Sequence, residues 1–312
     1  MNIIPNHTFF AAFHAISAFC NAGFSTLPDN LYHPAIRNLY GFQIWISLLI
    51  ILGGIGFPIV FNYGKLINHK IRNIIYRLTG SSKRMPSHVR IVNTTTRTAI
   101  VTTVILLTGG TLLFWCFEYD TLLKGVPLQG QFAISFLGSA TTRTAGFNAF
   151  PMQALSAPTL TLMMFLMWIG ASPLSTGGGI KTTTFAIAWK SIFSTLKNNE
   201  HVEIFKRRIP DENIKRAYTI ILLSVIWIFA ATLTIAALHP QTRISDLFFE
   251  VISAISTVGL SIDFTPQLNT AGKIIICLTM FVGRVGLITL LSGMTGRQMT
   301  RNYTYAEENV IL

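Results

Sequence analysis

The sequence has few charged residues and very few cysteines. Only 12% of its 312 residues are charged, against about 25% in ordinary globular chains, whereas 51% are hydrophobic. Three cysteines exclude a disulfide-stapled scaffold, and neither they nor the seven histidines have the spacing of a metal site. We expect the cysteines to be packing residues. These scarcities favour a membrane protein over a soluble enzyme or a metal-binding domain.

Long apolar runs support this class. A helix that crosses a bilayer needs about 20 mostly apolar residues. The sequence therefore predicts an all-α polytopic membrane protein, with spans at roughly 42–64, 98–117, 157–171 together with 183–196, 217–238 and 271–295.

The charges are unevenly placed along the chain. The net charge is +12, which by itself would suggest a nucleic-acid partner. Most of the lysines and arginines, however, fall in three segments that would lie on one side of the membrane: eight in 65–97, seven in 190–216 and two in 297–301. The positive-inside rule makes this side cytoplasmic. We expect a bilayer-embedded chain of the plasma (inner) membrane with a cytoplasmic C-terminus and no nucleic-acid partner.

A motif recurs three times between these runs. Each copy is a short segment that ends in small residues around one glycine, and we call the last four residues a glycine turn. An internal repeat of this length predicts units of two spanning helices with a re-entrant segment between them. The first turn is Asn21, Ala22, Gly23 and Phe24; the second is Thr144, Ala145, Gly146 and Phe147; the third is Thr257, Val258, Gly259 and Leu260.

The chemistry of such turns indicates a path for a cation. Non-helical backbone at membrane depth is tolerated where it lines water or is buried in protein. Glycine permits positive φ and exposes carbonyl groups, which replace the hydration shell of a cation in selectivity filters. The short helix before each turn would point its partially negative C-terminal end at mid-membrane, which also favours a cation. We therefore predict that the three turns form the selectivity filter and bind the ion.

A second unusual segment interrupts the third apolar run. Pro173 cannot continue a helix, and Gly177, Gly178 and Gly179 lower helix propensity further. A phosphate-binding loop would need glycine directly before the lysine, but Ile180 intervenes. A passive kink stays open as an alternative. We predict a mobile intramembrane gate that gains little from packing and is formed by Ser175, Thr176, Gly177, Gly178, Gly179 and Lys181.

Three charged residues fall at membrane depth. Arg284 is centred in the last apolar run, where a charge is costly and marks a functional candidate. We expect it to be a pore-facing cation at the gate, with a structural salt bridge as the alternative. Arg143 and Glu250 are expected to form a structural pair, because an unpaired buried charge is expensive.

With these motifs in place, the chain resembles the Trk/Ktr/HKT superfamily of potassium transporters, most closely the Ktr membrane (ion-translocating) subunit. The matching segments are 21–24, 143–148, 175–184, 202–209 and 257–261. The resemblance implies four helix–pore-loop–helix repeats around a pseudo-fourfold pore, a homodimer, and a cytosolic nucleotide-binding regulatory ring. It also implies that the break in the third repeat is the gate and that an arginine of the last helix lies below the filter.

The chain carries three glycine turns where the resemblance implies four. By order and context they match the second, third and fourth filter segments, so about two and a half of four repeats are expected and the N-terminal repeat is missing. The expected organisation is 1–66, pore loop and outer-to-inner helix of repeat 2; 67–94, basic cytoplasmic loop; 95–197, repeat 3 with the gate; 198–213, cytoplasmic loop; 214–296, repeat 4; 297–312, cytoplasmic tail.

The sequence thus predicts uptake of potassium or another monovalent cation, with Na⁺ coupling left open, and no enzymatic activity. No cofactor is expected in this chain: K⁺ is the transported ion, and a nucleotide would act only through the regulatory partner. The alternatives are a membrane-embedded lipid-modifying enzyme and a secondary transporter of an anionic or other solute.

Overall fold

A computed structural model describes residues 6–78, 93–286 and 289. The described chain is almost entirely helical, with one two-stranded hairpin. Its helices are α1 (His7–Phe19), α2 (Tyr40–Ile55), α3 (Phe57–Leu78), α4 (Thr94–Glu118), α5 (Leu128–Thr141), α6 (Ala157–Trp168), α7 (Thr182–Leu196), α8 (Asp211–Leu238), α9 (Ile244–Ile255) and α10 (Thr270–Val285), and its strands are β1 (Glu203–Ile204) and β2 (Arg207–Arg208).

Two of the described helices, α4 and α8, are long and apolar enough to cross a membrane. Shorter apolar helices, α2 and α6, accompany them. Local sequence explains where two helices begin. Asp211 and Glu212 lie in the first turn of α8, where negative charge interacts favourably with the helix dipole. Asn269 caps α10 by accepting a hydrogen bond from the Gly272 amide at 2.7 Å. The predicted span at 42–64 is wrong in one respect. It breaks at Gly56, whose φ of 90° ends α2 before α3 begins.

The three short helices α1, α5 and α9 differ in burial: most residues of α1 are exposed, whereas α5 and α9 are largely buried. The first contacts α2, the second lies against α2 and α4, and the third lies against α6, α8 and α10. One apolar core surrounds α5 and includes side chains of the second and third glycine turns, and another lies among α8, α9 and α10. The middle turn is therefore held in the interior, whereas Ala22, Phe24 and Gly259 leave the first and third turns partly exposed.

The expected loop at 198–213 contains the β-hairpin. Glu203 pairs with Arg208 and Ile204 with Arg207, and Phe205 and Lys206 form the turn at φ of 52° and 60°. The Arg97 guanidinium lies 4.0 Å from the Phe205 ring centre, which ties the hairpin to the start of α4.

One further expectation is contradicted by the structure, and two predicted segments lie mostly or wholly outside the described residues. Cys20, Cys116 and Cys277 are free and exposed on the bundle surface, so the prediction that they are packing residues is wrong. They lie on the outward faces of apolar elements, where a small apolar side chain is tolerated without being buried. Most of the basic loop beyond α3 and the whole predicted tail at 297–312 lie outside the described residues.

Candidate functional site

Each glycine turn follows directly from one of the short helices. The glycines have φ of 71° at Gly23, 78° at Gly146 and 88° at Gly259. The residue two positions earlier is also left-handed in every copy, with φ of 53° at Asn21, 68° at Thr144 and 52° at Thr257. A side chain other than glycine pays about 1–2 kcal/mol for such a conformation. The three turns therefore share one backbone form that the sequence repeat predicts.

The three turns meet at one place. A methyl group built on Gly23 would lie 2.5 Å from the Ala145 carbonyl oxygen and 3.0 Å from the Gly146 Cα. One built on Gly146 would lie 2.7 Å from the Val258 carbonyl oxygen. One built on Gly259 would find only the Gly146 Cα within 4 Å, at 3.9 Å. The middle turn thus touches both others, whereas the first and third glycines are not in contact.

The first and third turns are held by matching hydrogen bonds. Ser17 Oγ donates to the Phe24 carbonyl at 2.8 Å, and Ser253 Oγ donates to the Leu260 carbonyl at 2.6 Å. The amides of Ala22 and Val258 also donate to the carbonyls of these same serines, at 2.8 and 2.9 Å. Each hydroxyl pins the backbone directly after the glycine to the short helix before it.

A second pair of equivalent contacts closes the same turns. His14 contacts Ser25 Oγ at 2.9 Å, and Ser261 Oγ donates to Glu250 at 2.6 Å. Glu250 also accepts from the Ile262 amide at 3.1 Å and from Thr265 Oγ1 at 2.5 Å. His14 and Glu250 each lie nine residues before the glycine of their turn, and the structure gives them equivalent bonds.

The middle turn is built differently. Its hydroxyl comes from Thr141, one position closer to the glycine, and donates to the Phe147 carbonyl at 2.5 Å. Leu137 occupies the position of His14 and Glu250, so the polar contact of the outer turns is missing here. Instead, Asn21 Nδ2 donates to the Arg143 carbonyl at 3.1 Å and joins the first and middle turns directly.

The predicted pair of Arg143 and Glu250 is wrong. Arg143 is only 4% exposed and donates from Nη1 to the Gly170 carbonyl at 3.4 Å, while its Nε and Nη2 have no protein partner. Glu250 lies in α9, and both of its carboxylate oxygens accept hydrogen bonds from hydroxyls and an amide of the segment that follows the third turn. Arg143 and Glu250 therefore each bond to neutral groups and not to each other.

The predicted gate lies in the break between α6 and α7. Residues 169–181, which we call the 169–181 loop, leave the helix after Trp168 and return beside their own start, where Ile169 and Ile180 form an isolated parallel β-bridge. The Ile180 amide donates to the Trp168 carbonyl at 3.2 Å, and the Ala171 amide to the Gly178 carbonyl at 3.4 Å. The loop is also tied to α2, because the Ser172 amide donates to the Gly54 carbonyl at 3.1 Å.

Two cationic side chains bind carbonyls of this loop. Arg284 Nη1 donates to the Thr176 carbonyl at 2.6 Å, and Lys181 Nζ donates to the Gly177 carbonyl at 2.6 Å. The structure thus brings Arg284 to the predicted gate residues, although more than 100 positions separate them in sequence. In the described residues Arg284 has no ion pair, so the salt-bridge alternative receives no support.

The 169–181 loop lies directly against the glycine turns. A methyl group on Gly177 would lie 2.0 Å from Thr144 Oγ1, and one on Gly178 would lie 2.3 Å from Thr257 Oγ1. Both glycines are buried, so the expectation that the loop gains little from packing is wrong. The sequence could not show this, because the contact partners are the left-handed threonines of two other segments.

Polar atoms without protein partners cluster between the loop and the turns. They include Arg143 Nε and Nη2, Thr144 Oγ1, Ser172 Oγ, Thr176 Oγ1 and Ser256 Oγ. Buried polar atoms nearly always bond to protein or to ordered water. Water can satisfy both the guanidinium donors and the hydroxyl groups that the protein leaves without partners.

One feature escaped the sequence reasoning. Gly53 and Gly283 let α2 and α10 approach the ends of the short helices: methyl groups there would lie 1.9 Å from the Phe19 carbonyl and 1.8 Å from the Ile255 carbonyl. Three residues later each helix ends at a left-handed glycine, Gly56 or Gly286. The signal was present as Gly-x-x-Gly in both copies, at the same distance from the end of each repeat unit.

The fold and this site together define a polytopic membrane transporter. The structure has a TM-score of 0.72 with the crystal structure of the potassium transporter TrkH from Vibrio parahaemolyticus, at 17% identity, covering 94% of this chain and 59% of that one. The family model described as "TrkH: Cation transport protein" matches residues 3–295. The chain belongs to this family of cation transport proteins, which separates it from the membrane-embedded enzymes.

Among its relatives are two named uptake proteins. The Ktr system potassium uptake protein B of Vibrio alginolyticus is 33% identical over 305 residues, covering 97% of this chain and 62% of the relative. The potassium/sodium uptake protein NtpJ of Enterococcus hirae is 35% identical over 310 residues, covering 97% and 64%. The chain therefore spans less than two thirds of the length of these relatives.

Proposed function

We propose that these residues form most of a pore through which K⁺ is taken up across the plasma membrane. The observation that carries the proposal is the meeting of three left-handed glycine turns, each directly after the C-terminal end of a short helix. Carbonyl groups and helix C-termini both favour a cation. The printed names of the relatives, potassium uptake and potassium/sodium uptake, agree with this chemistry.

The filter in this proposal consists of the twelve residues of the three turns. The carbonyl of Gly23 accepts from Asn30 Nδ2 at 3.0 Å, which fixes the plane of that peptide group. The serine and threonine hydroxyls behind the turns fix the carbonyl that follows each glycine. Carbonyls held in this way are preorganised to replace the water around an ion of one size.

The proposed pore has four sides, of which this chain supplies three. Contact runs from Gly23 to Gly146 and from Gly146 to Gly259, and the open side lies between Gly259 and Gly23. A fourth segment of the same kind would close the ring into a pseudo-fourfold filter. The proposed units are residues 1–66, 95–197 and 214–296, each contributing one helix–turn–helix wall.

The 169–181 loop is the proposed gate. It lies against Thr144 and Thr257 on the helix C-terminal side of the turns, where an ion leaving the filter would pass. Arg284 and Lys181 occupy its carbonyls and place positive charge in the path. Opening would require the loop to leave the two threonines, which breaks contacts of the loop but none within the short helices.

Further parts of the proposal follow from the family resemblance. The chain would work as a homodimer with a cytosolic nucleotide-binding regulatory ring, and its basic segments and C-terminus would face the cytoplasm. The β-hairpin, with its exposed Arg207 and Arg208, would lie on that side. Na⁺ is kept as a second candidate for transport or coupling, because one relative is named a potassium/sodium uptake protein.

The test is rubidium uptake by bacteria that lack their own potassium uptake systems. Cells producing the full-length protein that carries these residues are expected to take up rubidium, with K⁺ competing better than Na⁺. The 312 residues alone are expected to insert and give no uptake, because the ring is open. Absence of uptake by the inserted full-length protein would refute the function. Selective uptake by the 312 residues alone would refute the four-sided ring.

A further inference from the structure

A groove runs along the outside of the bundle between α6, α8 and α9. Its first part, about 520 Å³, is lined by the beginnings of α6 and α9 and by the segment before α6. Its second part, about 260 Å³, lies deeper between α6, α8 and α9. Met164 borders both parts, so they lie next to each other along α6, and the first part lies where α6 and α9 begin.

The character of the groove changes along its length. Arg243, Ser245 and Asp246 line the end at which the helices begin, together with Gln153. The deeper part is lined almost entirely by apolar side chains, among them Phe229 and Phe248. Along α6 the groove extends from Ala157 to Trp168, which at 1.5 Å per residue is about 16 Å, close to half of a hydrocarbon core about 30 Å thick.

The polar end offers one charge of each sign. In the part of the chain that the structure describes, the Arg243 guanidinium forms no ion pair and no hydrogen bond, and Asp246 accepts only from Ser245 Oγ, at 2.9 Å. Arg243 is also the N-cap residue of the 12-residue helix α9, where the helix dipole favours an anion. An anionic group near Arg243 and a cationic group near Asp246 would both be complemented.

We infer that this groove is a binding site for a phospholipid with an ethanolamine headgroup. Its phosphate would bind Arg243, its ammonium would bind Asp246, and one acyl chain would follow α6 down to Trp168. The groove lies between the proposed units 95–197 and 214–296. A segment that closes the filter between Gly259 and Gly23 would therefore not fill it. The inference needs only that the chain lies in a bilayer, which its family establishes, and does not depend on the transported ion.

Trp168 provides a reporter at the deep end. It lines the apolar part, its Nε1 donates to Ser224 Oγ at 3.1 Å, and the 169–181 loop begins at the next residue. The full-length protein, purified in detergent and stripped of lipid, would be titrated with phosphatidylethanolamine brominated in its acyl chains. Saturable quenching of tryptophan fluorescence is expected, and its main component should vanish in Trp168→Phe.

Headgroup variants separate a specific site from ordinary lipid contact. Arg243→Gln should raise the half-saturating lipid concentration at least fivefold, whereas Lys273→Gln, at an exposed cation of another helix start, should leave it unchanged. Asp246→Asn should reduce the preference for phosphatidylethanolamine over phosphatidylglycerol. Equal quenching by brominated diacylglycerol, which has no headgroup, would overturn the inference.

A second measurement tests whether a second copy of the chain, instead of a lipid, occupies the groove. Native mass spectrometry should detect one retained phosphatidylethanolamine per chain in the unmodified protein and none in Arg243→Gln, with rubidium uptake checking that the variant is folded. If Met164→Cys instead cross-links efficiently to a second copy, the groove is an interface between chains and the lipid site is refuted.

Discussion

The glycine turns and the 169–181 loop are both irregular backbone inside a helical bundle, yet they are held in opposite ways. Each turn is fixed by groups of its own repeat unit, such as Ser17 on Phe24 and Ser253 on Leu260. The loop has bonds of its own but is also fixed by groups from elsewhere, including Gly54 of α2 and Arg284 of α10. Local bonds preset a shape, whereas distant bonds can be exchanged. The difference suits the roles that we propose, a filter that must keep its geometry beside a gate that must change it.

Replacing a turn glycine should have the largest effect. Gly146→Ser places a side chain 2.7 Å from the Val258 carbonyl and in a left-handed conformation. Rubidium uptake is expected to fall more than roughly tenfold, since about 1.4 kcal/mol corresponds to one decade. Gly109→Ser is the matched control, because nothing lies within 4 Å of Gly109. Normal selective uptake by Gly146→Ser would show that this turn does not line the path.

Weakening the bond between Arg284 and the 169–181 loop should have the next largest effect, and it should raise uptake instead of lowering it. Arg284→Gln weakens a charge-assisted hydrogen bond to the Thr176 carbonyl, worth about 1.5–3 kcal/mol, and removes a cation from the path. Uptake should rise several-fold and depend less on the regulatory partner. Lys190→Gln, an exposed cation of α7, should change neither. If Arg284→Gln abolished uptake at normal membrane levels, the contact would be structural rather than inhibitory.

A third substitution asks whether the outer and middle turns are interchangeable. Glu250→Leu gives the third turn the residue that the middle turn has at Leu137, and leaves Ser261, Ile262 and Thr265 without their acceptor. Each buried group left unpaired costs about 1–3 kcal/mol. We expect a clear drop in thermal stability in detergent and a smaller loss of uptake, whereas Leu137→Met should be nearly neutral. Unchanged stability would mean that the Glu250 contacts do not hold the turn.

The smallest effect is expected from removing the hydrogen bond that fixes the peptide plane at Gly23. Asn30→Ala removes the hydrogen bond to the Gly23 carbonyl, worth about 0.5–1.5 kcal/mol. Total uptake should change less than twofold, while the preference for K⁺ over Na⁺ should weaken. Asn199→Ala, at the exposed end of the α7 segment, serves as the control. An unchanged ratio of K⁺ to Na⁺ would exclude Asn30 from the support of the filter.

The helices were largely predictable from the sequence because apolar length dictates them. The spans at 98–117 and 217–238 lie within α4 and α8, since 20 or more apolar residues have few alternatives to a membrane helix. The end of α2 at Gly56 was missed, although Gly53, Gly54 and Gly56 lie within four residues, because glycines in an apolar run often serve helix packing. Its equivalence with Gly286 would have revealed it.

The partners of the buried charges were not predictable. Arg143 and Glu250 have opposite charges at similar depth, which suggested a pair, but each finds oxygen or hydrogen-bond donors nearer by. Sequence spacing identifies equivalent positions in a repeat and gives no distance between different repeats. The contact of Gly177 with Thr144 was hidden for the same reason.

By itself, the sequence determined the membrane class, the repeat, and the left-handed glycines, because apolar length and the steric freedom of glycine act locally. Only the tertiary structure decided that the three turns meet, that the loop lies against two of them, and that Arg284 holds the loop. The contacts between turns and the Arg284 bond join residues more than 100 positions apart, the contacts of the loop join residues 33 and 79 positions apart, and the geometry of all of them depends on how the whole bundle packs.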